Sequence, residues 1–540
     1  MTDATRNLLE QHFDTAFAAP DGIAKLRELI LTLAMQGKLV AQDPSDPPAS
    51  ELLKEIEVEK QRLVKEGKIK KPRPLPPIKP EEVPYQLPQG WEWVRLGDVL
   101  SFEYGDNLPA NKRSNSGEFP VYGSNGIVGT HKEAFVNEPC IVVGRKGSAG
   151  ALNLCLSEGC CVTDVAYYCV PPEGIDLNFC FKLLHILKLD SLGKGIKPGL
   201  NRNEAYELAI AIPPLPEQHR IVARIDQLMA RCDELEKLRK EREEKRVVVH
   251  AAAIKQLLDA PDGTAWDFIQ QHFGELYTVK ENVAELRKAI LQLAVMGRLA
   301  PQNPNDPPAS ELLKEIEKEK QRLVKEGKIK KPKPLPPIKP EEVPYELPEG
   351  WEWVRLEKVS TKIHYGYTAS ADHNAQNVRL LRITDIQDNK VDWETVPGCN
   401  AKKEDVAQYL LTDNDILIAR TGGTVGKSYL VQGISVDAAF ASYLIRVVPS
   451  GCMDVRFIKY FAESPLYWKQ LYAACSGTGQ PNVNGTSLSQ LLLALPPLPE
   501  QHRIVSRIDQ LMALCDTLEH RIDAATGKQT QLLGAVMAQV

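Results

Sequence analysis

The chain has 540 residues, 43% of them hydrophobic and 25% charged, and a net charge of −5. Such a composition belongs to folded globular protein, at this length about three to four domains, and it excludes a wholly disordered chain, a collagen and a disulfide-dense mini-protein. The charge excludes a globally basic nucleic-acid binder, so local patches or a partner must make any such contact.

No run approaches the roughly 18 uncharged apolar residues of a membrane span. The opening MTDATRNLLEQHFD carries neither a basic nor an apolar signal region, so no membrane and a cytoplasmic location are expected. The eleven cysteines include no C-x-x-C pair. Cys155, Cys160, Cys161 and Cys169 crowd together without a matching Cys/His knuckle, so buried reduced thiols are expected rather than a zinc site.

Taken in chain order, the dominant feature is a frame that occurs twice. Residues 46–96 and 306–356 match at 47 of 51 positions, at an offset of 260. The block PPLPEQHRIV begins at Pro213 and again at Pro496, an offset of 283, so the second intervening segment is 283 − 260 = 23 residues longer. The segments inside these near-identical frames, 91–212 and 351–495, differ almost completely. Common constraint on the frame with divergent inserts suggests one scaffold presenting two recognition surfaces. The resulting division is 1–90 (helical, with a proline-rich linker), 91–212 (recognition), 213–350 (central helical, with a second linker), 351–495 (recognition) and 496–540 (helix).

Asp46-Pro47-Pro48-Ala49 and Asp306-Pro307-Pro308-Ala309 lack the aromatic of an amino-methyltransferase loop. They read as a proline turn before the helix SELLKEIE, with Ser310 as N-cap. The linkers 68–84 and 328–344 should be extended and semi-rigid. Residues 60–79 hold eight Lys/Arg against one acid, Glu66, and a solvated tether is preferred there to a phosphate contact. Each recognition segment opens with WEWVRL, a strand-like start, and carries β-branched runs such as Ile141–Val143 and Asp415–Ala419, so both read as mixed α+β globules.

After PPLPEQ a helix begins in both copies, where Pro216 and Glu217 suit a first turn. Ile221, Ile225, Leu228, Cys232 and Leu235 recur at spacings of four and three, as do Ile504, Ile508, Leu511, Cys515, Leu518 and Ile522. That is a coiled-coil seam. A helix over 217–258 would be roughly 63 Å long, and the two could pack antiparallel as a spacer. The stretch EKLRKEREEKR (236–246) reads as a solvated face.

Two loops recur inside the segments. Thr421-Gly422-Gly423-Thr424-Val425-Gly426-Lys427-Ser428 ends like a P-loop, but the first glycine of G-x-x-x-x-G-K-[ST] is Thr421. Its counterpart starts at Arg145-Lys146-Gly147. A strand–loop hairpin carrying an exposed Arg420 or Arg145 fits both copies, and such an arginine can read guanine or grip phosphate. The second loop is Gly193–Arg202, with Lys194, Lys197 and Arg202, against Ser476–Asn484, with Asn482 and Asn484. Its small, donor-rich residues suit a nucleic-acid backbone as well as a plain surface loop. Tyr104 beside Gly105, and Tyr365 and Tyr367 around Gly366, are aromatic candidates, with core packing the alternative. Lys112, Arg113, Arg379, Arg382 and Lys427 complete the candidate set.

Together, LPQGWEWVRL (87–96), LPEGWEWVRL (347–356), the two PPLPEQHRIV blocks and the duplicated frame resemble the specificity subunit of a type I restriction–modification system. YGYTASA (365–371) and LRITDIQD (381–388) resemble target-recognition sequence of that family. The resemblance covers essentially the whole chain. It implies an α+β fold: two globular target recognition domains separated by long, coiled-coil-like helices in an internal pseudo-two-fold duplication. It implies that each domain reads half of a bipartite double-stranded DNA site, while the helices bind two modification subunits, with two restriction subunits added. S-adenosylmethionine, ATP and Mg would sit on those partners, with no catalytic, cofactor or metal site in this chain. A fused methyltransferase or NTPase, or a pure assembly scaffold, is the alternative. The segment charges sit awkwardly with DNA binding: 11 basic and 14 acidic residues in 91–212, 14 and 14 in 351–495.

Overall fold

The computed structural model describes residues 11–66, 73–114, 116–193, 199–260, 263–332, 334–375, 377–475 and 481–539. It has two compact units: Met1–Arg242 with Ala525–Val540, and Glu243–Ala524. Each long helix, Leu215–Asp259 and Leu498–Ala538, is therefore divided: residues 215–242 and 525–538 belong to the first unit, 243–259 and 498–524 to the second.

In the first unit, helix Gly22–Met35 ends where Gly37 turns left-handed (φ +66°). The amides of Gly37 and Lys38 return to Ala34 and Leu33, closing the helix as the apolar run stops. Helix Ala49–Lys65 follows. Strand Glu92–Arg95 pairs antiparallel with Ala209–Ile212, so the two ends of the recognition segment are tied together. Between them lies an antiparallel sheet in the order Glu103–Tyr104, Ala166–Cys169, Cys140–Gly144, Leu152–Cys155. The β-branched strand Cys140–Gly144 is buried along its whole length. A second sheet, Ile127–His131, Phe119–Tyr122, Cys161–Val162, contains a parallel pair.

The second unit repeats this plan, with like residues in the frame and unrelated ones in the sheets between. Helix Lys280–Val295 takes the place of Gly22–Met35, and its end at Gly297 (φ +70°) closes the same way. Glu352–Arg355 pairs with Leu492–Leu495. The four-stranded sheet runs Ser360–Tyr365, Leu444–Pro449, Ile416–Ala419, Ser428–Leu430, and the three-stranded one Gly398–Cys399, Val378–Leu381, Ala438–Phe440, again with one parallel pair. A hairpin, Ile386–Gln387 with Lys390–Val391, is part of the longer insert.

The frame is held alike in both units by buried polar anchors. Glu217, in the first turn of its long helix, accepts from Trp91 Nε1 (3.0 Å) and Gln42 (3.0 Å), and Glu500 accepts from Trp351 (2.9 Å) and Gln302 (3.0 Å). Burial raises the Glu217 carboxyl above its usual range, against the pull of those donors. Arg95 and Arg355 pair with Glu82 and Glu342 at 2.8 and 3.0 Å. Asp46 and Asp306 accept from Arg220 and Arg503 at 2.7 and 2.6 Å.

Several expectations change. Helix SELLKEIE starts at Ala309 with Pro308, not Ser310, at the N-cap. The proline-rich linker is no free tether. Arg95 donates to the carbonyls of Pro76 and Pro77, and Lys60 donates to Gly97 and Asp98. A chain without amide hydrogens still offers carbonyls, and the arginine takes them. Residues 236–246 are mostly exposed, yet Arg239 donates to Ala18 and Ala19, and Glu236 pairs with Arg27.

The seam does not wait for a matching seam. Ile221, Ile225 and Cys232 are buried in one core with Ile30, Ala34 and Met35, Leu228 packs against that core, and Arg27 pairs with Asp233 alongside. Leu235 is 48% exposed. Likewise Ile504, Ile508 and Cys515 share a core with Val283 and Ile290, Leu511, Leu518 and Ile522 pack against it, and Arg287 pairs with Asp516. Each seam is covered by the preceding helix of its own frame.

Candidate nucleic-acid interface

Tyr104 and Tyr365 end the edge strand of the four-stranded sheet in their respective units. The glycine after each is obligatory. A Cβ on Gly105 would lie 2.3 Å from the Thr163 carbonyl oxygen, and one on Gly366 2.3 Å from that of Ala441. That close approach lets Asp106 donate to Val162 and Tyr367 to Phe440, both at 2.8 Å. It leaves the tyrosine rings at the sheet's end, 48% and 39% exposed.

Onto each ring lies the arginine that follows the buried central strand. The Arg145 guanidinium carbon is 4.7 Å from the Tyr104 centroid and that of Arg420 is 4.6 Å from Tyr365. The backbones are fixed alike: Arg145 donates to Val165 and Arg420 to Tyr443, while Leu200 and Val483 donate to the carbonyls of Arg145 and Arg420, both at 2.9 Å. The second loop is thereby stitched to the first, with bridges Lys146–Gly199 and Thr421–Asn482. Asn201 and Asn484 then cap the short helices Arg202–Tyr206 and Gly485–Ser489. The arginines are half-buried against their rings rather than fully exposed. A guanidinium held face-on to a ring keeps its N–H edge in place for an acceptor.

At this loop of the second unit Arg420 Nε and Asn482 Oδ1 are buried and meet no hydrogen-bond partner among the described residues. A donor and an acceptor left open beside one loop suit a ligand that carries both. Next to Tyr365 in the same strand, His364 lies against Phe440 and Tyr409, and burial pushes its imidazole down to about 4.

The remaining candidates divide. Arg202 joins the first stack, 4.5 Å from the Tyr104 centroid, and donates to the Phe102 carbonyl at 2.6 Å. Lys112, Lys146 and Lys427 are exposed. Arg113 is committed to the carbonyls of Leu108 and Val128, and Arg382 to both oxygens of Asp385, while Arg379 spends Nη1 on the Val396 carbonyl and has no ring beneath it among the described residues. Tyr367 packs on Tyr409 at 5.4 Å, a core role. Lys194, Lys197 and Ser476–Gln480 lie outside the described residues. Sequence reading missed Tyr443, 65% exposed and bonded through its carbonyl to Arg420. Only the alignment of the two sheets, which sets it opposite Val165, reveals it.

Residues 421–428 form no P-loop. Gly422–Thr424 is a single 3-10 turn, and Ser428 begins a strand antiparallel to Ile416–Ala419 where a P-loop needs a helix. Among the described residues Cys140, Cys155 and Cys160 bring their sulfurs within 4.8 Å of one another, buried with Val142 and Val162. The Cys140 thiol and then burial raise Cys160, and burial raises Cys155, which keeps both protonated.

The family model of the type I restriction modification DNA specificity domain matches residues 88–244 and 348–525. The specificity subunits of the Escherichia coli type I restriction enzymes EcoAI and EcoEI are 36% and 34% identical to this chain, in each case over 95% of it and 92% of the relative. Among solved structures, the HsdS subunit from Thermoanaerobacter tengcongensis is 18% identical over 84% of this chain and 98% of its own, with a TM-score of 0.45.

Proposed function

Because this chain belongs to the type I restriction–modification DNA specificity family and is a subunit that recognises DNA targets, we propose that each unit reads one half of a bipartite, asymmetric site through its arginine–tyrosine stack. The observation that carries this is the recurrence of the stack, the glycine behind the tyrosine and the loop stitched to the arginine in two segments with almost no sequence in common. Shared geometry in divergent segments points to a shared task, and the divergence to different bases.

The chain performs no chemistry itself. Two modification subunits bring S-adenosylmethionine and methylate adenine, and two restriction subunits bring ATP and Mg for translocation and cleavage. The complex works in the cytoplasm. Since the recognition segments are net −3 and zero, the modification subunits supply much of the phosphate grip. The frame helices, common to both halves, hold those subunits and set the half-site spacing.

Mapping methylated adenines in cells carrying the full chain and its modification subunits tests this. Arg145→Ala should relax one half-site and Arg420→Ala the other, each by roughly 1–3 kcal/mol of discrimination, with folding intact. A palindromic wild-type site, or variants that lose subunit binding while DNA discrimination is unchanged, would sink the reading.

A further inference from the structure

The two stacks are alike except at one position. In the first unit two guanidinium groups lie against one ring: Arg145 at 4.7 Å and Arg202 at 4.5 Å from the Tyr104 centroid. In the second unit the residue that follows the capping asparagine is Gly485, which sits 485 − 202 = 283 residues after Arg202, the frame offset. The correspondence is structural as well. Asn201 and Asn484 cap the two short helices, and the residue just before each cap, Leu200 or Val483, donates to the carbonyl of the stack arginine. Gly485 makes do without a side chain: its amide donates to the Tyr365 hydroxyl at 2.8 Å.

Two like charges on one ring repel each other, and among the described residues neither Arg145 nor Arg202 makes an ion pair that offsets this. Each spends one nitrogen on a backbone carbonyl, Arg145 Nη1 on Asp164 (2.8 Å) and Arg202 Nη1 on Phe102 (2.6 Å). A guanidinium has five N–H donors, so each retains the pair that a bidentate contact needs. An acceptor-rich base edge relieves the repulsion and takes those donors. Guanine, with O6 and N7 in the major groove, is the base that offers two acceptors side by side.

Resting on the reading of the stacks as the DNA-reading surface, we propose that position 202/485 is a specificity-determining position. Arg202 gives the first unit a second guanine contact next to that of Arg145, and Gly485 leaves the second unit with one. The first half-site then carries two guanine requirements at the stack and the second half-site one. The position is open to exchange. Among the described residues a Cβ at Gly485 meets nothing closer than the Tyr365 hydroxyl at 3.6 Å, an ordinary contact.

Methylation mapping with the full chain and its modification subunits tests this, using Arg145→Ala, Arg202→Ala, Arg202→Lys and Gly485→Arg. Arg202→Ala should lose discrimination about 5- to 150-fold at one base pair of the first half-site, leaving its other positions and the second half-site unchanged. Arg202→Lys keeps a cation that can reach the Phe102 carbonyl but lacks the planar fork, so it should show the same single-position loss. It decides the matter if the alanine variant folds poorly. Gly485→Arg should add a guanine preference to the second half-site. A lysine variant with the wild-type site, or uniform weakening across the first half-site as for a phosphate contact, overturns the proposal. If Arg145→Ala relaxes the first half-site while Arg202→Lys leaves it intact, only this inference fails. If Arg145→Ala has no effect either, the reading beneath it fails.

Discussion

The two units solve the same packing problem with one frame and two interiors. Within the frame, and where a recognition segment meets it, contacts repeat bond for bond: Tyr85 to Met35 and Tyr345 to Val295, Trp91–Glu217 and Trp351–Glu500, Arg95–Glu82 and Arg355–Glu342. Inside the sheet the chemistry diverges. The second unit buries Asp415 against Arg446 at 2.6 Å, each at most 10% exposed. The matching strand of the first unit begins with Cys140 among thiols, and Tyr168 stands where Arg446 does in the register. Conservation between halves therefore follows the interface with the frame. Interiors that touch only themselves are free to change together.

The largest test of this comparison removes a part that only one unit owns. Leu533 and Val536 are buried, and Leu533 shares a core with Ala16, Phe17 and Leu29. Ending the chain at Ala524 should cost the first unit about 3–6 kcal/mol, from two aliphatic side chains at about 1.5–3 each. Hydrogen exchange should show the loss in the first unit alone, and equal loss in both would break the two-unit description. A fragment of residues 1–300 sharpens the same point. At the 283-residue offset its His250 and Ala253 stand for Leu533 and Val536, so two copies can complete each other. A dimer is expected by light scattering, dissociated by Ala253→Glu. A dimer indifferent to that change would return the pairing to the helix seam.

Next in size are the frame anchors. Trp91→Ala and Trp351→Ala should each cost about 3–5 kcal/mol by urea unfolding. The two costs should agree within about 1 kcal/mol, because ring, carboxylate and surroundings are the same; a clear inequality would show that the frames are not equivalent.

The interiors should then separate the units. Asp415→Ala strands Arg446 in the core and should cost about 3 kcal/mol, the lower end for breaking a buried pair. Replacing both, as Asp415→Leu with Arg446→Met, should recover most of it. Cys140→Ala in the first unit leaves no charge behind and should cost clearly less. Equal costs would mean that the ion pair is not desolvated as its burial implies.

The smallest effect is a pH slope. Burial, with Lys362 and Arg446 adding, holds the folded His364 imidazole near about 4, below its unfolded value of about 6.5. A depressed pKa contributes stability at neutral pH that is lost as the pH falls from about 6.5 toward about 4, because the unfolded state takes up the proton first. Thermal melts of the second unit should decline through that window, and His364→Phe should flatten the decline. Glu103 occupies the matching position in the first unit, where burial lowers His185 instead, so His364→Phe should leave the slope of that unit unchanged. A second-unit slope unchanged in the variant would assign it elsewhere.

The sequence by itself determined the duplication, the offsets of 260 and 283, the strand that opens each recognition segment and the helix that follows it, because repeats, spacing and first-turn residues are local and one-dimensional. It also disposed of the P-loop, since Thr421 stands where a glycine must. It could not say which arginines are spent. Arg113 and Arg382 look as available as Arg145 and Arg420 in one dimension, but two carbonyls and a carboxylate take them in the fold. Nor could it place Arg202 on Tyr104, or residues 525–539 in the first unit. Those pairings cross strands and helices distant in the chain, where the register of a sheet and the covering of an apolar face decide who meets whom, and no periodicity in the sequence records that choice.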